Sequence, residues 1–563
     1  MDAFALNLLI FLPLLAGIVV WLTPEDRVER IRSVSLWTGV LTAAIALLLW
    51  VQALRSSPAA LVGESQANWI VARDLVQDVD TRAVNAIDTF VIRYHVALDP
   101  ISAPLVALTG LLVPLSIACG FASIKRRQRE YYAWLLLLTT GMIGVFAARD
   151  VLLFYVFFEF TLVPLYFLIG IWGGPERRYA ANKFFLYTFV GSVVTFAGIV
   201  YLALRAADLR GSDVVDFDLL NLCAIVGLTQ TEQILLFAAF FCGFAIKVPF
   251  FPLHTWLPLA HTEAPTAGSV LLAGILLKLG TYGFLRFTLP MTPDGAVYWA
   301  DTIGVLAVVG IIYGALVSWV QRDMKKLVAY SSVSHLGFCM LGMFSFLPSG
   351  LSGSVLYMIN HGINTGALFL CVGMLYDRYH TRDMNAVGGL ARQMPILSFF
   401  LVLFVLASVG LPGLNGFISE FTVLFAAFNA QGVLGPWYGA LGATGILLGA
   451  IYLLYMTGKV LFGPLKEPHH TPDLSGGLTR DLNKREIAIL APLAVAVVVL
   501  GVAPRLVTDT LDPLLAEQML KRVEPALAAR ANAKASAVAA ASRASEPAPA
   551  VFGESPAASA GGF

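Results

Sequence analysis

The chain has 563 residues, of which 58% are apolar and only 13% are charged, and its net charge is +1. Soluble globular proteins carry about 25% charged residues, whereas a chain embedded in a bilayer needs few charges and runs of about 20 apolar residues. The composition therefore excludes an ordinary soluble protein, indicates a polytopic membrane protein, and gives no reason to expect a nucleic-acid partner.

Fourteen apolar segments are long enough to span a bilayer. Their predicted limits are 4–23, 33–54, 100–122, 131–147, 151–172, 185–205, 233–260, 266–289, 301–320, 327–347, 354–376, 395–426, 437–463 and 487–504. The first residues lack a basic stretch and an obvious cleavage site, so we interpret them as a span and not as a removed signal peptide. The predicted fold class is an all-α polytopic membrane protein with about fourteen transmembrane helices.

The charges of the loops alternate along this series of spans. Six loops are rich in arginine and lysine: 27–32, 125–129, 177–183, 322–326, 378–392 and 466–485. By the positive-inside rule these loops face the cytoplasm, since most of the intervening loops carry few basic residues. Both termini are then predicted on the periplasmic side, together with loop 55–98, which we expect to be a partly ordered flap.

Helix-breaking residues interrupt two of the spans. In the seventh, Pro249 and Pro252 follow Lys247 closely. In the twelfth, Pro412 and several glycines precede Glu420. The two breaks are five spans apart, so spans 4 to 8 and 9 to 13 form two five-helix units. Because five is an odd number, the second unit is inverted, and broken helices in inverted repeats are typical of ion paths.

The chain thus divides into five predicted parts. They are an N-terminal group of three spans (1–130), a first five-helix repeat (131–290), a second, inverted repeat (301–463), a last span with its flanking segment (487–527) and a low-complexity tail (528–563). Because the tail is rich in alanine, serine and proline, we expect it to be disordered.

Four charged residues lie well inside predicted spans: Glu159, Lys247, Lys278 and Glu420. A charge at the bilayer centre costs roughly 2.5–3.5 kcal/mol on insertion scales, so such residues are typical of ion pathways. The alternatives are structural ion pairs, or side chains that snorkel to the interface.

Histidines add to this row. His254 follows the break in the seventh span, His335 lies in the tenth span and His361 in the eleventh. Several histidines at one depth, beside serines and asparagines, suit a hydrated proton relay. A lone buried histidine is as often a satisfied core residue, and a metal site is a weaker alternative because no carboxylate lies at ligand spacing. The five cysteines show no CxxC spacing, and no GxGxxG motif follows a strand, so neither an iron–sulfur cluster nor a dinucleotide site is indicated.

Burial favours the neutral forms of both lysine and glutamate. A lysine paired with a glutamate keeps its proton, whereas a desolvated lysine whose partner has moved away tends to release it. We therefore hypothesise a lateral proton wire that is gated by the Glu159–Lys247 pair. It would run through Lys278 and the histidines to Glu420.

Five stretches of the chain resemble the antiporter-like subunits of respiratory complex I and of the multisubunit cation/proton antiporters. They are AIKVPFFPLHTWLPLAHTEAPTAGSVLLAGILLKLGTYGFLRF, FEFTLVPLYFLIG, DMKKLVAYSSVSHLGF, NHGINTGALFL and GLPGLNGFISEF, and they cover roughly residues 130–430. The resemblance implies that Glu159 and Lys247 are the coupling pair, Lys278 and the central histidines the relay, and Glu420 the exit. A glutamate at this last position is typical of one of the three such subunits of complex I, since the other two carry lysine.

The resemblance also implies partners and a location. We expect a proton-translocating subunit of an NADH–quinone oxidoreductase in the bacterial cytoplasmic (inner) membrane, in contact with lipid and with two sister antiporter-like subunits. Flavin mononucleotide, iron–sulfur clusters and quinone are expected on other subunits, and no cofactor on this chain. The alternatives are a subunit of a sodium/proton antiporter or of a membrane-bound hydrogenase, and a structural scaffold with inert ion pairs.

Overall fold

The computed structural model describes residues 2–57, 60–73, 89–468 and 472–544. The first group of helices is α1 (Asp2–Leu22), α2 (Val28–Arg55), α3 (Ser102–Ser123), α4 (Gln128–Ala147), α5 (Val151–Phe160), α6 (Leu162–Trp172), α7 (Arg177–Arg210), α8 (Leu219–Cys223), α9 (Gln230–Lys247), α10 (Leu257–Glu263), α11 (Thr266–Leu271), α12 (Leu277–Gly283) and α13 (Leu289–Met291). The second group is α14 (Pro293–Trp319), α15 (Met324–Met343), α16 (Pro348–Tyr379), α17 (Pro395–Val409), α18 (Asn415–Asn429), α19 (Pro436–Leu461), α20 (Lys484–Val502), α21 (Arg505–Leu515) and α22 (Lys521–Ala544). The strands are β1 (Val62–Arg73), β2 (Thr89–Leu98) and β3 (Val214–Asp216). Short π-helical turns, Leu272–Leu276 and Phe284–Thr288, flank α12.

All fourteen predicted spans coincide with helices or with pairs of helices. In the described part of the chain, eleven helical stretches are long and apolar enough to cross a membrane. The other three predicted spans are the broken seventh (α9 and α10), the polar tenth (α15) and the broken twelfth (α17 and α18). The predicted fold class, a polytopic helical membrane protein, is therefore confirmed.

Two of these spans form the centre of the bundle. The apolar windows of the eighth span (Thr266–Met291) and of α16 are completely buried, whereas those of α1 and α2 are 39% and 33% buried. A helix that is buried on every side packs against protein and not against lipid. The eighth span and α16 are therefore shielded from lipid, and polar side chains on them contact protein alone.

The seventh span breaks after Lys247, the last residue of α9. Pro249 and Pro252 lie between α9 and α10, in a non-helical segment where the missing N–H of proline interrupts no helical hydrogen bond. Trp256 closes the gap, because its indole Nε1–H donates a 2.9 Å hydrogen bond to the carbonyl of Ile246 at the open end of α9. The break thus leaves the lysine at a helix terminus inside the bundle.

The twelfth span breaks between α17 and α18, at glycines that no other residue replaces easily. Gly410 (φ +82°) and Gly413 (φ +92°) adopt the left-handed backbone that favours glycine, and Pro412 lies between them. A Cβ on Gly416 would lie 1.9 Å from the carbonyl oxygen of Ala407, so the start of α18 passes directly over the end of α17. This crossing positions the first turns of α18.

The expected flap at 55–98 is, in its described part, a β-hairpin. β1 and β2 pair antiparallel from Val62↔Leu98 to Arg73↔Thr89, and β3 adds to β2 in parallel. The hairpin is fixed to α1, because the Tyr94 hydroxyl donates a 2.5 Å hydrogen bond to Asn7 Oδ1. The tip of the predicted flap, 74–88, lies outside the described residues.

Asp99 joins the hairpin to the bundle through a buried ion cluster. Its Oδ1 accepts hydrogen bonds from the amides of Ile101 (3.1 Å) and Ser102 (3.0 Å). Its Oδ2 accepts from Arg149 (3.0 Å) and from Arg286. Burial alone would raise the pKa of Asp99, but the attraction of Arg286 and Arg149 outweighs burial and holds this pKa well below its usual range.

Asp99→Asn is expected to destabilise the fold by about 3–5 kcal/mol, because it leaves two buried guanidinium groups without a counter-charge. The measurement is thermal unfolding of the purified protein, together with the amount recovered in the membrane fraction. Asp301→Asn is the control, since Asp301 is half-exposed and pairs with Arg530; such pairs contribute only about 0–1 kcal/mol. Equal unfolding temperatures for the two variants would contradict a structural role of the cluster.

The predicted disordered tail from residue 528 is wrong for 528–544, which belong to α22. Arg530 donates a 2.6 Å hydrogen bond to Asp301 on α14, and Lys534 Nζ donates to the carbonyl of Gly432 (2.7 Å). Alanine, which makes the segment low in complexity, is also the best helix former. Residues 545–563 lie outside the described part of the chain.

Candidate functional site

The membrane-embedded charges and the two central histidines lie on six different helices. Glu159 is on α5, Lys247 on α9, Lys278 on α12, His335 on α15, His361 on α16 and Glu420 on α18. Glu159 is partly buried, and the other five are at most 8% exposed. Buried ionisable groups inside a membrane are expensive, so a cluster of five indicates a function in handling charge.

Lys247 and Glu159, the predicted gating pair, are not in contact. No carboxylate lies within 4.0 Å of Lys247 Nζ in the described chain, and this nitrogen makes no hydrogen bond there. It lies instead over the ring of Phe158, 5.0 Å from the centroid, with the ring of Phe184 at 5.8 Å. An aromatic face stabilises a cation only in part. The structure therefore holds the lysine apart from the glutamate, as in the open state of the predicted pair.

Lys278 is held by an irregularity of its own helix. In the π-helical turn before α12, the amide of Leu277 bonds to the carbonyl of Leu272, five residues back. The carbonyl of Ala273 is thereby free to accept from Lys278 Nζ at 2.5 Å. Nζ also lies 2.7 Å from His361 Nδ1, a hydrogen bond that joins the eighth span to α16.

A second polar cluster surrounds Glu420. The hydroxyl of Tyr357 donates to Glu420 Oε1 (3.1 Å) and lies 2.7 Å from His335 Nδ1. Tyr452 Oη lies 3.4 Å from the other ring nitrogen, His335 Nε2. The rings of His335 and His361 are 5.8 Å apart, which links this cluster to the Lys278 side. Sequence reasoning missed both tyrosines, because a tyrosine in an apolar span is usually a packing residue.

A small cavity of about 10 Å³ opens between the two histidines and Glu420. This is close to the smallest volume that holds one water molecule. Asn360 Nδ2 donates to the Asn415 carbonyl (2.7 Å) and to Ser419 Oγ (3.2 Å), which fixes one wall. The buried Nε2 atom of His361 makes no hydrogen bond within the described residues. The cavity can therefore hold a single water in reach of the proton-carrying groups.

His254 is not brought into this cluster. Its ring packs against Phe251 (5.8 Å) and Tyr313 (5.1 Å), as a core histidine would. His261, on α10, lies deeper: it is fully buried, stacks on Phe369 at 4.7 Å and has both nitrogens without a partner in the described chain. Neither histidine makes a hydrogen bond to another residue of the row in the described chain, so the relay role of His254 stays a prediction.

Metal binding does not follow from this arrangement. Within the described residues, no group of three or more histidine, cysteine, aspartate or glutamate side chains could hold a metal ion. Helix-borne lysine, histidine, tyrosine and glutamate in hydrogen-bond contact can exchange protons, and that is the chemistry the site offers.

Gly410→Ala is expected to lower stability by about 1–3 kcal/mol through backbone strain and a clash. The new methyl group would lie 2.5 Å from Glu420 Oε2 and push the carboxylate from Tyr357. Gly413→Ala is the matched control, because Gly413 also has a positive φ but nothing within 4 Å of an added Cβ. Thermal unfolding should show the larger loss for Gly410→Ala; equal losses would mean that the carboxylate does not depend on this contact.

Comparisons with known proteins agree with this geometry. Residues 148–443 match the family model described as NADH:quinone oxidoreductase/Mrp antiporter, TM. The chain is 41% identical over 522 residues to NADH-quinone oxidoreductase subunit M of Rhodobacter capsulatus, covering 91% of this chain and 95% of that protein. A chain of respiratory complex I from Thermus thermophilus is similar with a TM-score of 0.77 and 30% identity, over 92% of this chain and 99% of that one. A chain of the Mrp complex from Dietzia sp. has a TM-score of 0.74 at 20% identity, over 92% and 99% of the two chains, which shows a shared fold alone.

Proposed function

The chain belongs to the family of membrane subunits shared by NADH:quinone oxidoreductases and Mrp antiporters, and from this premise we propose that it translocates protons as the subunit-M-type component of an NADH–quinone oxidoreductase. The 41% identity to a subunit M, against 20% to the Mrp chain, favours the oxidoreductase over the antiporter. Glu420, in place of the lysine of the sister subunits, points the same way.

The observation that carries this proposal is the contact between buried proton-exchanging groups across the bundle. Lys278 reaches His361, and His335 reaches Glu420 through Tyr357. In a low-dielectric interior, such groups gain or lose protons according to the charges beside them. A proton therefore moves sideways along the row whenever a neighbouring charge changes.

The coupling step acts on Lys247. When Glu159 approaches the ammonium group, the pair stabilises the proton on the lysine. When the two separate, as in this structure, the buried ammonium keeps only the rings of Phe158 and Phe184, and its charged form is disfavoured. The proton then moves toward Lys278, which leaves Lys247 neutral; when Lys247 takes up a new proton, repulsion between the two lysine charges drives the next transfer. Glu420 finally releases a proton on the side of the membrane opposite to uptake.

The rest of the assignment follows from the family. The chain would assemble with two sister antiporter-like subunits in the bacterial cytoplasmic membrane, with both termini on the periplasmic side. Flavin mononucleotide, iron–sulfur clusters and quinone would be bound by other subunits, so this chain contributes proton transport and no redox centre.

The test is purification of the complex that contains this chain, identification of its subunits by mass spectrometry, and reconstitution into sealed vesicles. NADH should drive proton translocation in sodium-free buffer, and the complex should contain flavoprotein and iron–sulfur subunits. Recovery of the chain in an assembly without redox subunits, or transport that requires sodium, would instead identify it as part of an antiporter.

A further inference from the structure

The step from His335 to Glu420 lacks a direct hydrogen bond. The Nδ1 atom of His335 and the Oε1 atom of Glu420 are 3.6 Å apart. Hydrogen bonds between nitrogen and oxygen in proteins span about 2.7–3.2 Å. A proton on the histidine therefore has no hydrogen-bonded route to the carboxylate without a third group.

The Tyr357 hydroxyl occupies the position of that third group. It lies 2.7 Å from His335 Nδ1 and donates to Glu420 Oε1 at 3.1 Å. Since the hydroxyl proton points to the carboxylate, the histidine nitrogen is the donor to the hydroxyl oxygen. Both distances are within hydrogen-bond range, so the three groups form a continuous donor–acceptor chain.

The ring of Tyr357 is held where this chain requires it. The side chain is only 3% exposed and stacks on Phe338, with centroids 6.0 Å apart and an interplanar angle of 13°. Tyr357 and His361 are four residues apart on α16, so both face the same side of that helix. On this face of α16, His361 contacts Lys278 and Tyr357 contacts Glu420.

We propose that Tyr357 is a relay residue, which carries the proton from His335 to Glu420. The inference rests on the proposed function and adds a residue to it. In the step, the Nδ1–H bond of the His335 imidazolium breaks as a new O–H bond forms on Tyr357, while the original phenolic proton moves to Glu420 Oε1. A cation and an anion become neutral histidine and neutral carboxylic acid, and the tyrosine stays neutral. Rotation of the hydroxyl about its C–O bond resets the relay.

Tyr357→Phe tests the relay, because it removes one oxygen atom and keeps the ring. A positioned proton-transfer group accelerates its own step by about 10²–10⁴-fold. Part of this acceleration does not show in the overall rate when another step limits turnover. We therefore expect NADH-driven proton translocation to fall by roughly tenfold or more. The measurement uses the assembled complex in sealed vesicles, with NADH oxidation by an artificial electron acceptor as the measure of intact redox subunits. Tyr132→Phe is the matched control, since that tyrosine is buried on α4 and its hydroxyl makes no hydrogen bond within the described chain.

Glu420→Gln separates the relay from the proposed function. In that background Tyr357→Phe should cause no further loss, because the acceptor of the relay is already gone. If the Tyr357→Phe complex translocates protons normally while the Glu420→Gln complex is impaired, the relay is overturned but the proposed function is not. Normal translocation by Glu420→Gln would count against both. Loss of assembly on removal of this single oxygen would identify Tyr357 as a structural residue and would also overturn the relay.

Discussion

Lys247→Met is expected to lower NADH-driven proton translocation by roughly 10²-fold, within the range that one proton-transfer group contributes. The same change should not harm the fold. Lys247 Nζ is buried without a hydrogen bond in the described chain, so its replacement by an apolar side chain of similar length removes a desolvation cost. The measurements are proton translocation in sealed vesicles and thermal unfolding of the assembled complex.

The divergence between activity and stability is what makes this variant informative. Lys326→Met is the control, because Lys326 is an exposed lysine near the start of α15, outside the buried row. It should leave both translocation and unfolding unchanged. Undiminished translocation by an assembled Lys247→Met complex would contradict the gating role of the lysine, whatever the unfolding temperature.

The architecture of the spans could be predicted because a bilayer imposes a simple rule on sequence. Each crossing needs about 20 apolar residues, and each break needs a residue that cannot continue a helix. Pro249 and Gly410 satisfy the second condition, and both lie at breaks. The β-hairpin was missed because strands outside the membrane leave a much weaker pattern than a run of apolar residues. Helix α22 was missed because alanine-rich composition is shared by disordered tails and helices.

The site was predictable in its charges but not in its connections. A buried lysine or glutamate is conspicuous in an apolar span, whereas Tyr357 carries no charge and is indistinguishable from a packing residue. His254 and His261 both follow the break in the seventh span, and in the fold both are buried against aromatic rings, which the sequence alone does not reveal.

The predicted inverted repeat suggests how the two parts of the row relate. In that prediction, spans five and seven, with Glu159 and Lys247, correspond to spans ten and twelve, with His335 and Glu420. The first pair is separated, and the second is bridged by Tyr357. An alternating transfer of protons would require a group between the two pairs, and Lys278, which contacts the second through His361, is the residue we predict for that role.

Lys278→Arg is expected to abolish translocation as completely as Lys278→Met, by roughly 10²-fold or more. Arginine keeps the positive charge that His361 faces, but its guanidinium cannot lose a proton in a protein. A residue that only supplies charge would tolerate the change, whereas a residue that passes protons would not. The measurement is proton translocation by the assembled complex, beside NADH oxidation with an artificial acceptor.

The larger arginine side chain must fit a site that is 0% exposed, and overpacking of this kind costs about 1–3 kcal/mol. Thermal unfolding of both variants separates that cost from the loss of proton transfer, because methionine fits without it. Partial recovery of translocation in Lys278→Arg over Lys278→Met would show that charge at this point is sufficient. In that case the proton would pass Lys278 without binding to it.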